Sequence, residues 1–180
     1  MRPLVKKGLI VLVVVTVVLT GTVLAMSATF PIINDVTTDP ERPPVFFTAP
    51  KGKRAPALDT MSYNPGFAPM QRRSYPKVQP LLVSGEPESV CARARDVAQR
   101  RMGWSLVADD AEAGRFQAVA ITKFFKFHDD VVVTCDPVAG GTEINVRSRS
   151  RVGKSDFGAN AKRITAFLEE LERSANREKR

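Results

Sequence analysis

The chain has 180 residues, 27 basic and 19 acidic side chains, 13 prolines, 11 glycines and 2 cysteines. That length holds one ordinary domain with appendages and excludes large catalytic architectures such as a (β/α)8 barrel, while an apolar fraction of 43% excludes wholesale disorder. The net charge of +8 invites a nucleic-acid reading, but Arg2, Lys6 and Lys7 concentrate part of it near the N-terminus, and the rest is an unremarkable basic excess.

From Gly8 to Met26 the chain reads GLIVLVVVTVVLTGTVLAM, without a charge. A hydrocarbon core about 30 Å thick needs roughly 20 apolar residues as a helix, so this run is long enough to span it. The three basic residues before it place the N-terminus in the cytoplasm and the remainder outside. The run can be retained as an anchor or cleaved as a secretory signal, since Ala25-Met26-Ser27 has the small-x-small pattern of a processing site. Its length favours the anchor, and both readings export the domain. The expected location is the inner membrane, single-pass, with the C-terminal domain in the periplasm. An exported domain meets little nucleic acid, so none is expected as a partner.

Ten of the prolines lie between Pro31 and Pro80, with no sustained helical or alternating period. This stretch reads as an irregular, largely extended strap. Ile32, Ile33, Val45, Phe46, Phe47, Tyr63, Phe67 and Tyr75 need cover, so the strap is expected to lie across the domain.

Residues 86–101 carry a helical stripe of Val90, Cys91, Ala94, Val97 and Ala98, with Pro87 in the first turn. Trp104–Ala108 reads as a strand, Asp109–Gly114 as a turn, and Phe116–Phe127 as a long β-prone run. His128-Asp129-Asp130 reads as the next turn, and Val131–Cys135 as a strand ended by Asp136-Pro137. After Gly140-Gly141, Ile144, Val146, Ser148, Ser150 and Val152 face one way and Glu143, Asn145, Arg147, Arg149 and Arg151 the other. A last amphipathic helix has Phe157, Ala161, Ile164, Phe167, Leu168 and Leu171 on one face, with Ser155 or Asp156 as its N-cap. Short loops imply an antiparallel meander. The expected fold is α+β in two layers, a four-stranded antiparallel meander with helices on one face, preceded by a transmembrane helix and the strap. The divisions are residues 1–27 as tip and anchor, 28–85 as strap, 86–173 as domain and 174–180 as charged tail.

The run VRSRSRVGKSDFGANAKRITAFL (Val146–Leu168) resembles the signature of domain-of-unknown-function family 1499, found in bacteria and plastids. NDVTTDPERPPVF (Asn34–Phe46), Tyr75-Pro76 with Gln79-Pro80, Gly103-Trp104 and Phe125–Val133 fit the same family in order. The resemblance covers about residues 30–172, and Phe157 stands where leucine is common. It implies an exported or membrane-associated protein and carries over no activity or catalytic residue.

Several residues remain as candidates for chemistry. Arg147, Arg149 and Arg151 share one side of a strand at ~6–7 Å intervals, and like charges that close demand screening or partners. They are either an anion site, with Lys154 and the free amides of the last helix beside them, or a ladder paired internally. Asp35, Asp39 and Glu41 of the strap, or Asp129 and Asp130, could supply those partners, and internal pairing is favoured. Cys91 and Cys135 are either a disulfide or two buried thiols, because helix–sheet register is not readable from sequence. With one histidine, His128, the chain has no metal-ligand spacing, and no metal site is expected. GxSxG, CxxC, P-loop and dinucleotide patterns are absent, so no cofactor is expected. Two functions follow: a non-enzymatic, membrane-anchored module binding an envelope protein or anionic lipid, or an envelope hydrolase with an unorthodox site around His128. The first is preferred, so the chain is not expected to be an enzyme.

Overall fold

The computed structural model describes residues 10, 12–18, 20–21, 30–52, 54–123 and 125–178. Two short strands come from the proline-rich half, β1 (Asp35–Thr37) and β2 (Leu81–Val83). Four follow in the second half: β3 (Ser105–Asp110), β4 (Arg115–Ile121), β5 (His128–Val138) and β6 (Gly141–Ser150). All pairings are antiparallel, in the order β1-β6-β5-β4-β3, with β2 on β6 beside β1. The helices are α1 (Ala68–Ser74), α2 (Pro87–Asp96), which runs on as a π-helical turn at Val97–Arg101, and α3 (Ala159–Glu178).

The period-two pattern of the strands divides the core in two. Phe116, Ala118, Val131, Val133, Ile144 and Val146 face α2 and α3, where they meet Val90, Ala94, Ile164 and Phe167. Trp104 stacks on Phe167 with ring centroids 4.9 Å apart. On the opposite face Val132 joins Phe46 and Met61 of the strap in a second, smaller cluster. The sheet is therefore covered on both sides, by helices on one and by the strap on the other.

This corrects the expected four-stranded, two-layer arrangement. The meander β3–β6 is present, but the strap adds β1 and β2 to the outer edge of β6, where open backbone groups would otherwise face water. The strap is also less extended than its prolines imply. Pro65 and Pro69 sit in first turns, where a missing N–H costs nothing, and start a 3-10 turn (Pro65–Phe67) and α1. Of its large apolar side chains, Ile33 and Phe46 are buried while Ile32 and Val45 are exposed.

Three boundaries also move. β3 continues to Asp110, and the turn is the shorter stretch before Arg115. β4 ends at Ile121, and the hairpin turn lies at residues 122–127, closed by Thr122 N–H to Phe127 O at 2.9 Å. His128-Asp129-Asp130 accordingly opens β5 and makes no turn, because Ile121 pairs with His128. Phe157 precedes the last helix with φ +50, and Asp156 caps α3 by accepting from the Gly158 and Asn160 N–H groups, each at 2.9 Å.

Of the apolar 8–26 run, residues 10, 12–18, 20 and 21 are helical; the others lie outside the described residues. Among the described residues no helix is long and apolar enough to cross a membrane.

Two glutamines hold the strap in place. The Gln71 amide bonds both the N–H and the C=O of Thr37, and Gln117 accepts from the Phe47 and Thr48 N–H groups while donating to Thr48 O. Each side chain imitates a strand neighbour, Gln71 on the open edge of β1 and Gln117 for a segment outside the sheet. Gln117→Ala leaves these strap groups without partners on a covered face, which costs ~1–3 kcal/mol for each group that water fails to reach. The expected result is faster amide exchange at Phe47 and Thr48 with little change in β4–β6. Uniform loss of protection would show that the clamp is not local.

Candidate functional site

The strap face contains the arginines of β6. Arg147 is buried, with its side chain 1% exposed, and grips Asp35 through Nε at 2.9 Å and Nη2 at 2.7 Å. The same guanidinium donates to the carbonyls of Pro44 (3.2 Å) and Met61 (2.7 Å), and lies over the Phe46 and Tyr63 rings at 5.0 and 5.5 Å. Burial pushes the Asp35 carboxyl above its ordinary value, against the hydrogen bond and charge of Arg147. Burial, then the Asp35 charge, pushes Tyr63 up to about 12. Arg151 forms a two-point pair with Asp130 at 2.9 and 2.6 Å. Arg149, between them, is half-buried and donates to Thr60 O at 2.8 Å. Lys154 is exposed in the loop after β6. The four positions do not make one anion site: two guanidiniums are turned to internal carboxylates under the strap, and Lys154 lies beyond the strand. Asp39 and Glu41 pair outside the ladder, Asp39 with Arg42 at 3.2 Å and Glu41 with Arg72.

Strand geometry also separates His128 from Asp129. Neighbours on a strand point to opposite faces. Asp129 faces the helices and pairs with Arg163, whereas Asp130 faces the strap with Arg151. A His128–Asp129 dyad is therefore not formed. Cys91 of α2 and Cys135 of β5 are joined by a disulfide that ties the helix layer to the sheet. Among the described residues no group of His, Cys, Asp or Glu could hold a metal ion.

The helix face contains a polar network that the alternation pattern did not reveal. Asn160 accepts from the Ser148 hydroxyl at 2.7 Å and donates to Ser150 Oγ at 3.0 Å and Asn34 O at 3.1 Å. Arg163 donates to Ser148 Oγ at 2.9 Å, to Asn160 and to Asp129. The available signal was the change from Ile144 and Val146 to Ser148 and Ser150 at inward positions, which demands polar partners on the facing helix.

This network ends beneath an aromatic end of the molecule, formed around Phe30 and Phe157, whose rings meet edge to face at 6.5 Å. Gly158 permits that contact. Its φ is +79, and a Cβ there would come within 3.0 Å of the Phe30 ring. Two clefts flank the aromatic pair. The first, about 480 Å³, lies between α3 and residues 74–78, with walls that include Phe30, Tyr75, Val78 and Ala166. Lys77 and Lys162 are exposed beside it. Among the described residues the buried Tyr75 hydroxyl has no hydrogen-bond partner, and burial, then Asp156, pushes it up to about 12. The second cleft, about 530 Å³, is walled by Phe125, Phe127, Val152 and Phe157, with Asp129 and Ser150 also lining it. His128 lines neither cleft.

Sheet, strap and helices together define an α+β domain on a six-stranded antiparallel sheet. The chain belongs to the family described as "Protein of unknown function (DUF1499)", which matches residues 35–171. A search of curated proteins found no match.

Proposed function

We propose that the protein is a membrane-tethered, exported module without catalytic chemistry, and that its envelope partner is an anionic lipid held by an acyl chain in the first cleft. The carrying observation is that cleft itself. Its volume falls within the roughly 300–1,000 Å³ of small-ligand sites, its walls are largely apolar, and of the three charged residues that line it, Lys77 and Lys162 outnumber Glu169 and can meet an acidic head. The uncharged 8–26 run behind Arg2, Lys6 and Lys7 supports the tether. The disulfide supports an oxidising compartment outside the cytoplasm. The hydrolase alternative has less behind it, because His128 stands apart from both clefts and from Asp129.

The test uses the full chain in phosphatidylcholine nanodiscs and a palmitate bearing a diazirine. Photolabelling is expected on residues 74–78 and α3, and Ala166→Trp, which fills the cleft from an exposed position, should cut it roughly tenfold. Labelling that Ala166→Trp leaves unchanged would remove the cleft as the site. Solubilisation of the wild type by alkaline carbonate would remove the tether.

A further inference from the structure

The second cleft and the hairpin that borders it do not take part in the acyl-chain site, yet they expose several aromatic rings. Phe125 is 77% exposed and stacks on Phe127, itself 43% exposed, with ring centroids 5.5 Å apart. Phe157, 47% exposed, stands across the cleft with Val152. Aromatic rings displayed together at the tip of a short turn are unusual unless something covers them.

The turn is well built. Phe127 N–H donates to Thr122 Oγ1 at 2.9 Å, Lys126 N–H to Thr122 O at 3.2 Å, and Lys126 takes φ +54. The fold thus holds these rings outward. Two acids, Asp129 and Asp156, line the cleft, and exposed lysines flank it in sequence. Lys123, Lys126 and Lys154 are exposed, whereas Asp129 is buried against Arg163 and Asp156 is engaged in capping α3.

Chain connectivity supplies the third observation. Phe30 packs on Phe157, and Met26, the end of the apolar run, is only four residues earlier. A fully extended chain covers at most ~3.6 Å per residue, so four residues of chain bridge no more than ~14 Å. If the run spans the bilayer, Phe157 and its cleft lie close to the membrane surface.

We infer that the aromatic end of the domain, the 122–127 hairpin with Phe157, sits in the headgroup layer of an anionic bilayer, with Lys123, Lys126 and Lys154 among the lipid phosphates. This rests on the membrane tether of the preceding reading and is independent of its acyl-chain cleft. Aromatic side chains prefer that interface, and lysines near it gain from negative surface potential. The consequence is a fixed posture, with the 122–127 turn downward and the turn between β3 and β4, at the other end of β4, directed away from the membrane.

The experiment reads tryptophan fluorescence from the full chain in nanodiscs of phosphatidylcholine and phosphatidylglycerol, with and without brominated acyl chains. The wild type is the blank, because its single tryptophan, Trp104, is buried in the core. Phe125→Trp adds a reporter at the hairpin tip. Its added emission is expected to fall to about half or less when bromines lie near the headgroup end of the chain, and to fall less when they lie deeper. Lys123→Glu with Lys126→Glu in the Phe125→Trp protein should relieve the quenching in anionic nanodiscs more than in neutral ones. Unquenched Phe125→Trp emission from protein that stays in the nanodisc would overturn this placement, leave the tether standing and point to a protein or a second copy as the cover. Protein that leaves the nanodisc altogether overturns the tether and the placement with it.

Discussion

Arg147→Ala is expected to destabilise the domain by ~3–5 kcal/mol, because it strands a carboxylate under the strap. Asp35 is 2% exposed and takes two hydrogen bonds from Arg147. The Pro44 and Met61 carbonyls lose the same donor, and the Phe46 ring loses the cation above it. Asp35→Ala should cost a similar amount by stranding the guanidinium. The double variant should lose much less than the sum, since neither charge then remains unpaired. Urea unfolding of the four proteins checks this, and additive losses would show that the two residues act separately.

The variant also has a pH signature. Without Arg147 the charge of Arg149 is left to oppose burial at Asp35, so its folded pKa lies further above the unfolded value. The folded state then binds the proton more tightly, and stability is highest below the unfolded value and falls as pH rises through the folded one. Arg147→Ala should therefore regain part of its loss near about pH 4. The wild type shares the direction more weakly, because burial already leads at Asp35.

The second large effect belongs to the disulfide. Cys91 and Cys135 are separated by 44 positions, and closing a loop of that size restricts the unfolded chain by about 4 kcal/mol in the chain-entropy account. Cys91→Ala with Cys135→Ala should lower the urea midpoint accordingly, and a reductant should do the same to the wild type without affecting the variant. A reductant that shifts both proteins equally would mean that the bond is not what stabilises the helix layer.

Legibility followed the range over which each feature is determined. The β6 alternation assigned Arg147 and Val146 to opposite faces because side-chain direction on a strand is local. Asp35 and Asp130 could be counted among the partners of the arginines, but which arginine each would take depends on register: Asp35 lies directly opposite Arg149 and yet binds the diagonal neighbour Arg147. The hairpin between Thr122 and Phe127 was hidden because Phe125 and Phe127 are β-prone and its positive φ falls on Lys126, where no glycine or asparagine marks it. Phe157 looked helical by spacing, while the Asp156 cap places the start of α3 just after it. The two clefts were not legible at all. The first arises where Phe30 and Tyr75 meet α3, the second where Phe125 and Phe127 meet Val152 and Phe157, and no short stretch of sequence contains either meeting.

Pairing of β1 with β6 has a temporal consequence. Asp35 and Arg147 are separated by 112 positions, so the strap is synthesised first and must wait for nearly the whole domain before it finds its seat. Contacts of such long range slow folding, because the entropy of closing the intervening chain is lost before they form. Until then the outer edge of β6 and the guanidinium of Arg147 have only water for company. The meander, whose neighbours are close in sequence, can assemble ahead of it. On that ground the proline-rich segment is expected to close the sheet edge last, so that the earliest residues of the domain complete its structure.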